Sequence, residues 1–200
     1  MRNIALMASG TGTNALNLIE ACRRFSQVRI ACLIVDTHES PLPEIVRKKY
    51  PMLPVHRILP MGGLKGDDRK REHETRIIET LEGHEVGHVL LAGYMRILGP
   101  VLLNRFKNSI VNIHPSLLPL YPGMDSYQRA FADNVQESGV TIHLVDEGID
   151  TGPILLQERF PRLEGDTVAD FIQRGKDLEW KLYPMILEKL NESATLLPGV

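Results

Sequence analysis

The chain has 200 residues, 43% of them hydrophobic and 24% charged, with a formal net charge of -2 at pH 7. That length supports one substantial core rather than two. The near balance of charge gives no global attraction to nucleic acid or to an anionic membrane, so small-molecule partners are expected, without nucleic acid and without membrane.

The apolar run after Met1 is too short for a secretion signal, and no segment has the length of a membrane span. Cys22, in a helical pattern, and Cys32, in an apolar run, suit unpaired thiols of a reducing compartment. A cytoplasmic protein is expected.

Apolar, β-rich runs recur at residues 4–8, 28–36, 55–59, 86–93, 110–114, 140–145 and 153–160. Helical patterns lie between the early ones. Residues 14–25 put Leu16, Ile19, Ala21 and Cys22 largely on one face, and Arg23 and Arg24 stand where cations suit the helix dipole. Residues 42–50 form a shorter candidate, and 67–81 is a charged helix with Ile77, Ile78 and Leu81 as its apolar edge. Strands that alternate with helices, each apolar enough to be covered on both faces, predict an α/β fold with a doubly wound, mostly parallel sheet. Pro115, Pro119 and Pro122 then punctuate a loop, a short helix follows at 126–133, and a hairpin-like pair of strands turns near Gly148 and Gly152. Residues 166–190 predict a long C-terminal helix folding back on the sheet, and 191–200 a loose tail.

Directly after the first strand comes Gly10-Thr11-Gly12-Thr13-Asn14-Ala15. It satisfies the dinucleotide pattern G-x-G-x-x-G/A, with Asp36 at the end of the second strand as a ribose ligand. A single phosphate at a helix N-terminus needs the same free N–H groups and the same lack of Cβ crowding. A plain strand-to-helix turn capped by Thr13 or Asn14 would also use these residues. The loop does not choose among the three.

His84-Glu85-Val86-Gly87-His88 matches the zinc-hydrolase pattern H-E-x-x-H. Its context is wrong: Gly83 and Gly87 break a helix, and a buried strand begins inside the motif. On a strand the two histidines would lie about 13 Å apart, too far for one zinc. No metal site is expected.

Asn112-Ile113-His114-Pro115-Ser116-Leu117-Leu118-Pro119 ends a strand at the sheet edge where open α/β folds place ligands. Asn112 and His114 are two apart and so share a face. An amide donor beside an imidazole suits acyl transfer, which needs a donor to a developing oxyanion and a group of near-neutral pKa to move a proton. A polar strand end with His114 capping a loop is the bland alternative. The glycines of the segment 146–153 allow a sharp loop that turns Asp150 back toward His114 and orients it.

These four segments together, the glycine loop, residues 91–98, residues 112–119 and residues 146–153, resemble the glycinamide ribonucleotide formyltransferases, a folate-dependent family of purine synthesis. The resemblance covers essentially the whole chain, in order and with matching spacing. It implies one formyltransferase domain over 1–190, with a nucleotide-binding half at about 1–100 and a catalytic and folate-binding half at about 90–165. It also implies formyl transfer from 10-formyltetrahydrofolate to the amine of glycinamide ribonucleotide, by a monomer or homodimer.

Position by position, the resemblance assigns Gly12, Thr13 and Asn14 to the substrate phosphate, which leaves Asp36 without a ribose to hold. It assigns Lys176, Asp177, Leu178 and Glu179 to the ribose and glycinamide, with Glu179 the most direct. Arg71, Met95, Arg96, Ile97 and Leu98 would meet the folate together with Asn112, and Asp146, Glu147, Gly148, Ile149 and Asp150 would cap it. Asn112, His114 and Asp150 would be catalytic, and Leu118-Pro119 would be cis. Tyr127 departs from the pattern, because the family commonly carries a histidine there, and His143 is expected to hydrogen-bond behind the catalytic residues. A formyltetrahydrofolate hydrolase, formyl transfer to another amine, and a non-catalytic dinucleotide-binding protein are the alternatives.

Overall fold

The structure, a computed structural model, describes residues 1–196. Seven strands form one sheet in the order β3-β2-β1-β4-β5-β6-β7. They are β1 (Arg2–Ala8), β2 (Val28–Val35), β3 (Val55–Arg57), β4 (Val86–Leu91), β5 (Ile110–His114), β6 (Glu137–Leu144) and β7 (Ile154–Pro161). The first five are parallel, and β6 and β7 add antiparallel pairings at one side. The expected doubly wound, mostly parallel sheet is present.

Alternation along each strand decides which helix layer covers which face. Ile4, Leu6, Leu33, Val35, Leu90, Val111, Ile113 and Ile142 bury one face, beneath α1 (Thr13–Cys22), α2 (Leu42–Lys49) and α7 (Pro184–Glu192). Ala5, Met7, Cys32, Ile34, Val89, Leu91 and Ile110 bury the other, beneath α3 (Gly66–Gly83) and α4 (Pro100–Arg105). Asn112 and His114 continue this second face past the last helix, so loops cover them instead of a helix. That change of cover makes room for a site.

The helical stretch after residue 166 breaks once, into α6 (Val168–Leu182) and α7, because Pro184 has no N–H to continue the ladder and takes the first position of a new helix. Thr167 and Asp170 form a reciprocal capping box at the start of α6. Between the helices, the fully buried Tyr183 donates its hydroxyl hydrogen toward the Leu91 and Val111 carbonyls, at 2.9 and 3.2 Å. Helix α7 runs on to Glu192 and Leu196 is buried, so part of the expected tail packs on the core; residues 197–200 lie outside the described residues.

Helix α4 has no counterpart in the sequence reading. Its six residues are too few for a periodic signal, and it starts because the buried Glu74 carboxylate accepts the Gly99 and Leu102 N–H groups. The H-E-x-x-H segment straddles a helix end and a strand: α3 stops at Gly83, Glu85 has φ 52°, and β4 starts at Val86.

Candidate active site

The strand order reverses between β1 and β4, and the two loops that leave there are tied together. Ser9 N–H donates to the Gly93 carbonyl at 3.0 Å, and Met95 N–H donates to Ser9 Oγ at 2.9 Å. An open α/β sheet binds ligands at such a crevice.

Gly12 caps α1 with φ 74°, and a Cβ at that position would lie 2.3 Å from Leu42 Cδ2, so only glycine fits. No side chain caps the helix, which leaves its first-turn N–H groups free to meet an anion. Neither Thr13 nor Asn14 is the cap that a plain turn would use. Asn14 Nδ2 instead donates to Glu179 Oε2 at 2.7 Å, while Asn14 Oδ1 is buried without a partner among the described residues. The structure thus brings Asn14 and Glu179 together across the chain. Leu178 packs on the core beside them, whereas Lys176 and Asp177 are exposed.

Asn112 on β5 pairs directly with His143 on β6, and His114 lies two residues further along the same face. The segment after β6 folds over them and delivers Asp150, whose φ of 56° is the turn that points its carboxylate inward. Asp150 Oδ2 is 3.1 Å from His114 Nδ1, and Asp150 Oδ1 accepts from Asn112 Nδ2 at 3.5 Å. Asn112 Nδ2–H and, once His114 is protonated, its Nδ1–H therefore point from one strand face at one anionic group.

The rest of the network fixes which atoms donate. His143 Nδ1 is 2.8 Å from the Leu144 carbonyl, so it carries the proton, and Nε2 accepts from Asn112 Nδ2 at 3.3 Å. This holds the Asn112 amide with its nitrogen toward the site. His114 Nε2–H donates to the Tyr121 carbonyl at 2.9 Å, which leaves Nδ1 as the nitrogen facing Asp150. Both ring nitrogens of His114 thus have acceptors. Burial still outweighs them and holds the imidazole pKa below its ordinary value, with the Tyr121 carbonyl and Asp150 pulling the other way. Burial raises the Asp150 carboxyl, but the Gly123 N–H and the neighbouring His114 hold it below the ordinary carboxylate value.

Three contributors here were not singled out in the sequence. The Tyr121 carbonyl orients His114, Gly123 N–H donates to Asp150 Oδ2 at 2.8 Å, and Ser126 Oγ lies 3.2 Å from His114 Nε2. All come from the proline-rich loop and the start of α5 (Ser126–Ala132), where Gly123, at φ 78°, was the available signal. The Leu118-Pro119 peptide is cis.

Met95, Arg96, Ile97 and Leu98 line a groove of about 450 Å³ against α3. Met95 and Ile97 are exposed apolar side chains, as is Ile149 in the 146–150 loop. Arg71 is exposed on α3 and does not line that groove; Arg69 and Lys70 do. Arg96 Nε donates to Asp36 Oδ2, which gives the buried Asp36 a protein partner where a dinucleotide ribose would have supplied one. Asp146 accepts from Gly148 N–H at 3.0 Å and from the Thr151 hydroxyl at 2.7 Å, so it shapes the loop from within, with Glu147 exposed beside it.

This arrangement, phosphate-competent loop, converging donors and folded-over carboxylate, coincides with a family relationship. The family model described as Formyl transferase matches residues 2–187. The chain belongs to the formyl transferase family. Relatives of this formyl transferase include the phosphoribosylglycinamide formyltransferase of Bacillus subtilis, 37% identical over 191 residues and covering 95% of both chains. The phosphoribosylglycinamide formyltransferase of Haemophilus influenzae is 35% identical over 193 residues, 96% of this formyl transferase and 88% of the relative. The crystal structure of phosphoribosylglycinamide formyltransferase from Bacillus halodurans superposes with a TM-score of 0.87 at 38% identity, covering 98% of each chain.

Proposed function

We propose that this formyl transferase moves the formyl group of 10-formyltetrahydrofolate to the amine of glycinamide ribonucleotide, as a step of purine biosynthesis. The observation that carries the reading is the convergence of His114 Nδ1 and Asn112 Nδ2 on the Asp150 carboxylate, at 3.1 and 3.5 Å. An amide N–H and an imidazolium N–H so aligned are what a tetrahedral oxyanion requires, and the Asp150 carboxylate holds both side chains in that orientation.

The glycinamide nitrogen attacks the formyl carbon and forms the new C–N bond. The carbonyl oxygen gains negative charge and takes hydrogen bonds from Asn112 Nδ2 and from the Nδ1–H of protonated His114. Collapse breaks the bond between the formyl carbon and N10 of the folate, and the proton lost by the amine ends on N10. His114 passes that proton as acid, with Asp150 stabilising the imidazolium that forms in the buried site.

Gly12, Thr13 and Asn14 hold the 5′-phosphate on the amides of α1, and Glu179 accepts from the ribose, beside Lys176, Asp177 and Leu178. Backbone groups of Met95, Arg96, Ile97 and Leu98 read the pterin. The segment Asp146, Glu147, Gly148, Ile149 covers it, and Arg71 belongs to the folate site. Residues 1–190 form the formyltransferase domain, about 1–100 binding the nucleotide and about 90–165 carrying catalysis and folate. Partners are these two small molecules. No helix among the described residues is long and apolar enough to cross a membrane. The proposed enzyme is cytoplasmic, and monomeric or homodimeric.

The test follows tetrahydrofolate release from 10-formyltetrahydrofolate with and without glycinamide ribonucleotide. Release that requires the nucleotide is expected. Release without an acceptor would mean a hydrolase, and tight nicotinamide-cofactor binding without folate binding would mean a dinucleotide-binding protein.

A further inference from the structure

Tyr127 stands in the second position of α5, next to Ser126, and is almost fully buried at 5% exposure. Its hydroxyl donates to Glu179 Oε1 at 2.9 Å, while Asn14 Nδ2 donates to the other oxygen, Oε2, at 2.7 Å. One donor therefore comes from the phosphate loop and one from α5. The ring is wedged edge-on to Phe160 and Phe171, with centroids 5.9 and 6.3 Å away. On α6, Gly175 supplies the remaining space: a Cβ there would lie 2.3 Å from Tyr127 Cζ and 2.5 Å from Oη. Helices α5 and α6 and strand β7 thus agree on one position for this hydroxyl.

A carboxylate has about four acceptor sites, and Asn14 and Tyr127 occupy one on each oxygen, so two remain. Two is the number of donors in a ribose diol. A free glutamate would have to lose its side-chain freedom on binding, whereas one already held at both oxygens does not. The phenol is suited to holding it, because burial and the adjacent Glu179 push its ionisation far up and leave it a pure donor toward the carboxylate.

We propose that Tyr127 is a positioning residue for the nucleotide: its hydroxyl, with Asn14, fixes the Glu179 carboxylate as a preorganised acceptor for the ribose hydroxyls, in a space that Gly175 keeps open. The inference rests on the nucleotide reading of the site given above. It assigns this chain's departure from the usual histidine to substrate binding and not to proton transfer.

The test is a double-mutant cycle of Tyr127→Phe and Glu179→Gln on the full-length enzyme, measuring kcat and both KM values. Tyr127→Phe removes only the hydroxyl and keeps the ring packing. Its expected effect is a rise of about 10-fold in KM for glycinamide ribonucleotide, with KM for 10-formyltetrahydrofolate changed less than about twofold. In the Glu179→Gln background the same substitution is expected to add little, since both act through one carboxylate. An unchanged nucleotide KM in an active enzyme, or a full additive loss in the Glu179→Gln background, would overturn the proposal alone. A lowered Tm with both KM values raised together would assign Tyr127 to packing and also overturn it. Wild-type enzyme that releases no tetrahydrofolate in response to the nucleotide would overturn the underlying functional reading, and this inference with it.

Discussion

Asp150 Oδ2 stands 3.1 Å from His114 Nδ1 and also accepts the Gly123 N–H at 2.8 Å, so one carboxylate oxygen ties the end of β5 to the loop that covers it. An amide cannot replace it. The side chain of an Asp150→Asn variant would offer one neutral acceptor oxygen where a two-oxygen carboxylate now accepts from Asn112 and Gly123 and stabilises protonated His114. Turnover should fall by about 10²-fold or more, while the fold is kept. Steady-state kinetics with circular dichroism checks this, and near-normal kcat would remove Asp150 from the mechanism.

The phosphate loop depends on a residue without a side chain. Gly12→Ala would place a methyl group 2.3 Å from Leu42 in a left-handed conformation, and both effects oppose it. The expected cost is about 1–3 kcal/mol of stability, with a higher KM for the nucleotide and little change in KM for the folate. Thermal denaturation and the two KM values distinguish these effects. Equal rises in both would show that the loop does not serve the nucleotide alone.

Glu74 lies outside the proposed substrate contacts but holds the end of the Met95–Leu98 segment by accepting the Gly99 and Leu102 N–H groups. Glu74→Ala leaves those buried donors unpaired, at about 1–3 kcal/mol. The loop bearing Ile97 and Leu98 should loosen, so KM for 10-formyltetrahydrofolate rises more than KM for the nucleotide. A rise confined to the nucleotide would contradict the placement of the folate.

Acid should destabilise the site through His114 and Asp150 with the same sign. The His114 pKa is lowered in the folded state, chiefly by burial, so below the ordinary value of 6.5 the unfolded chain binds a proton that the folded chain resists. Its contribution is complete at higher pH and is lost as pH falls through that window. Asp150 is held below its ordinary 3.8, so its contribution is present above that value and is lost as pH falls toward the folded pKa. Tm measured from pH 8 to 4 should fall less steeply in His114→Asn than in the wild type between about pH 7 and 5. Parallel curves would mean that His114 titrates alike in both states.

The sheet was legible because the strands carry local signals: apolar runs such as Leu33–Val35 and Val89–Leu91 can only be buried on both faces. Asn112 and His114 were legible because spacing by two on a strand fixes a shared face. What the sequence withheld depends on long-range contact. Asn14 reads as a helix cap until Glu179 arrives from α6 to take its amide. Nothing local in the sequence pairs Arg96 with Asp36, and nothing local marks Glu74 as the acceptor on which α4 starts. The break at Pro184 was visible in the residues themselves, but the apolar periodicity continues across it and hides the boundary.

The most direct measurement follows a labelled formyl carbon from 10-formyltetrahydrofolate in the presence of glycinamide ribonucleotide, comparing the wild type with Asn112→Ala. The account predicts that the label appears as an amide on the nucleotide, and that Asn112→Ala slows its appearance by about 10²- to 10³-fold with nucleotide binding retained. Label recovered as formate, or transfer unaffected by the loss of Asn112, would contradict it.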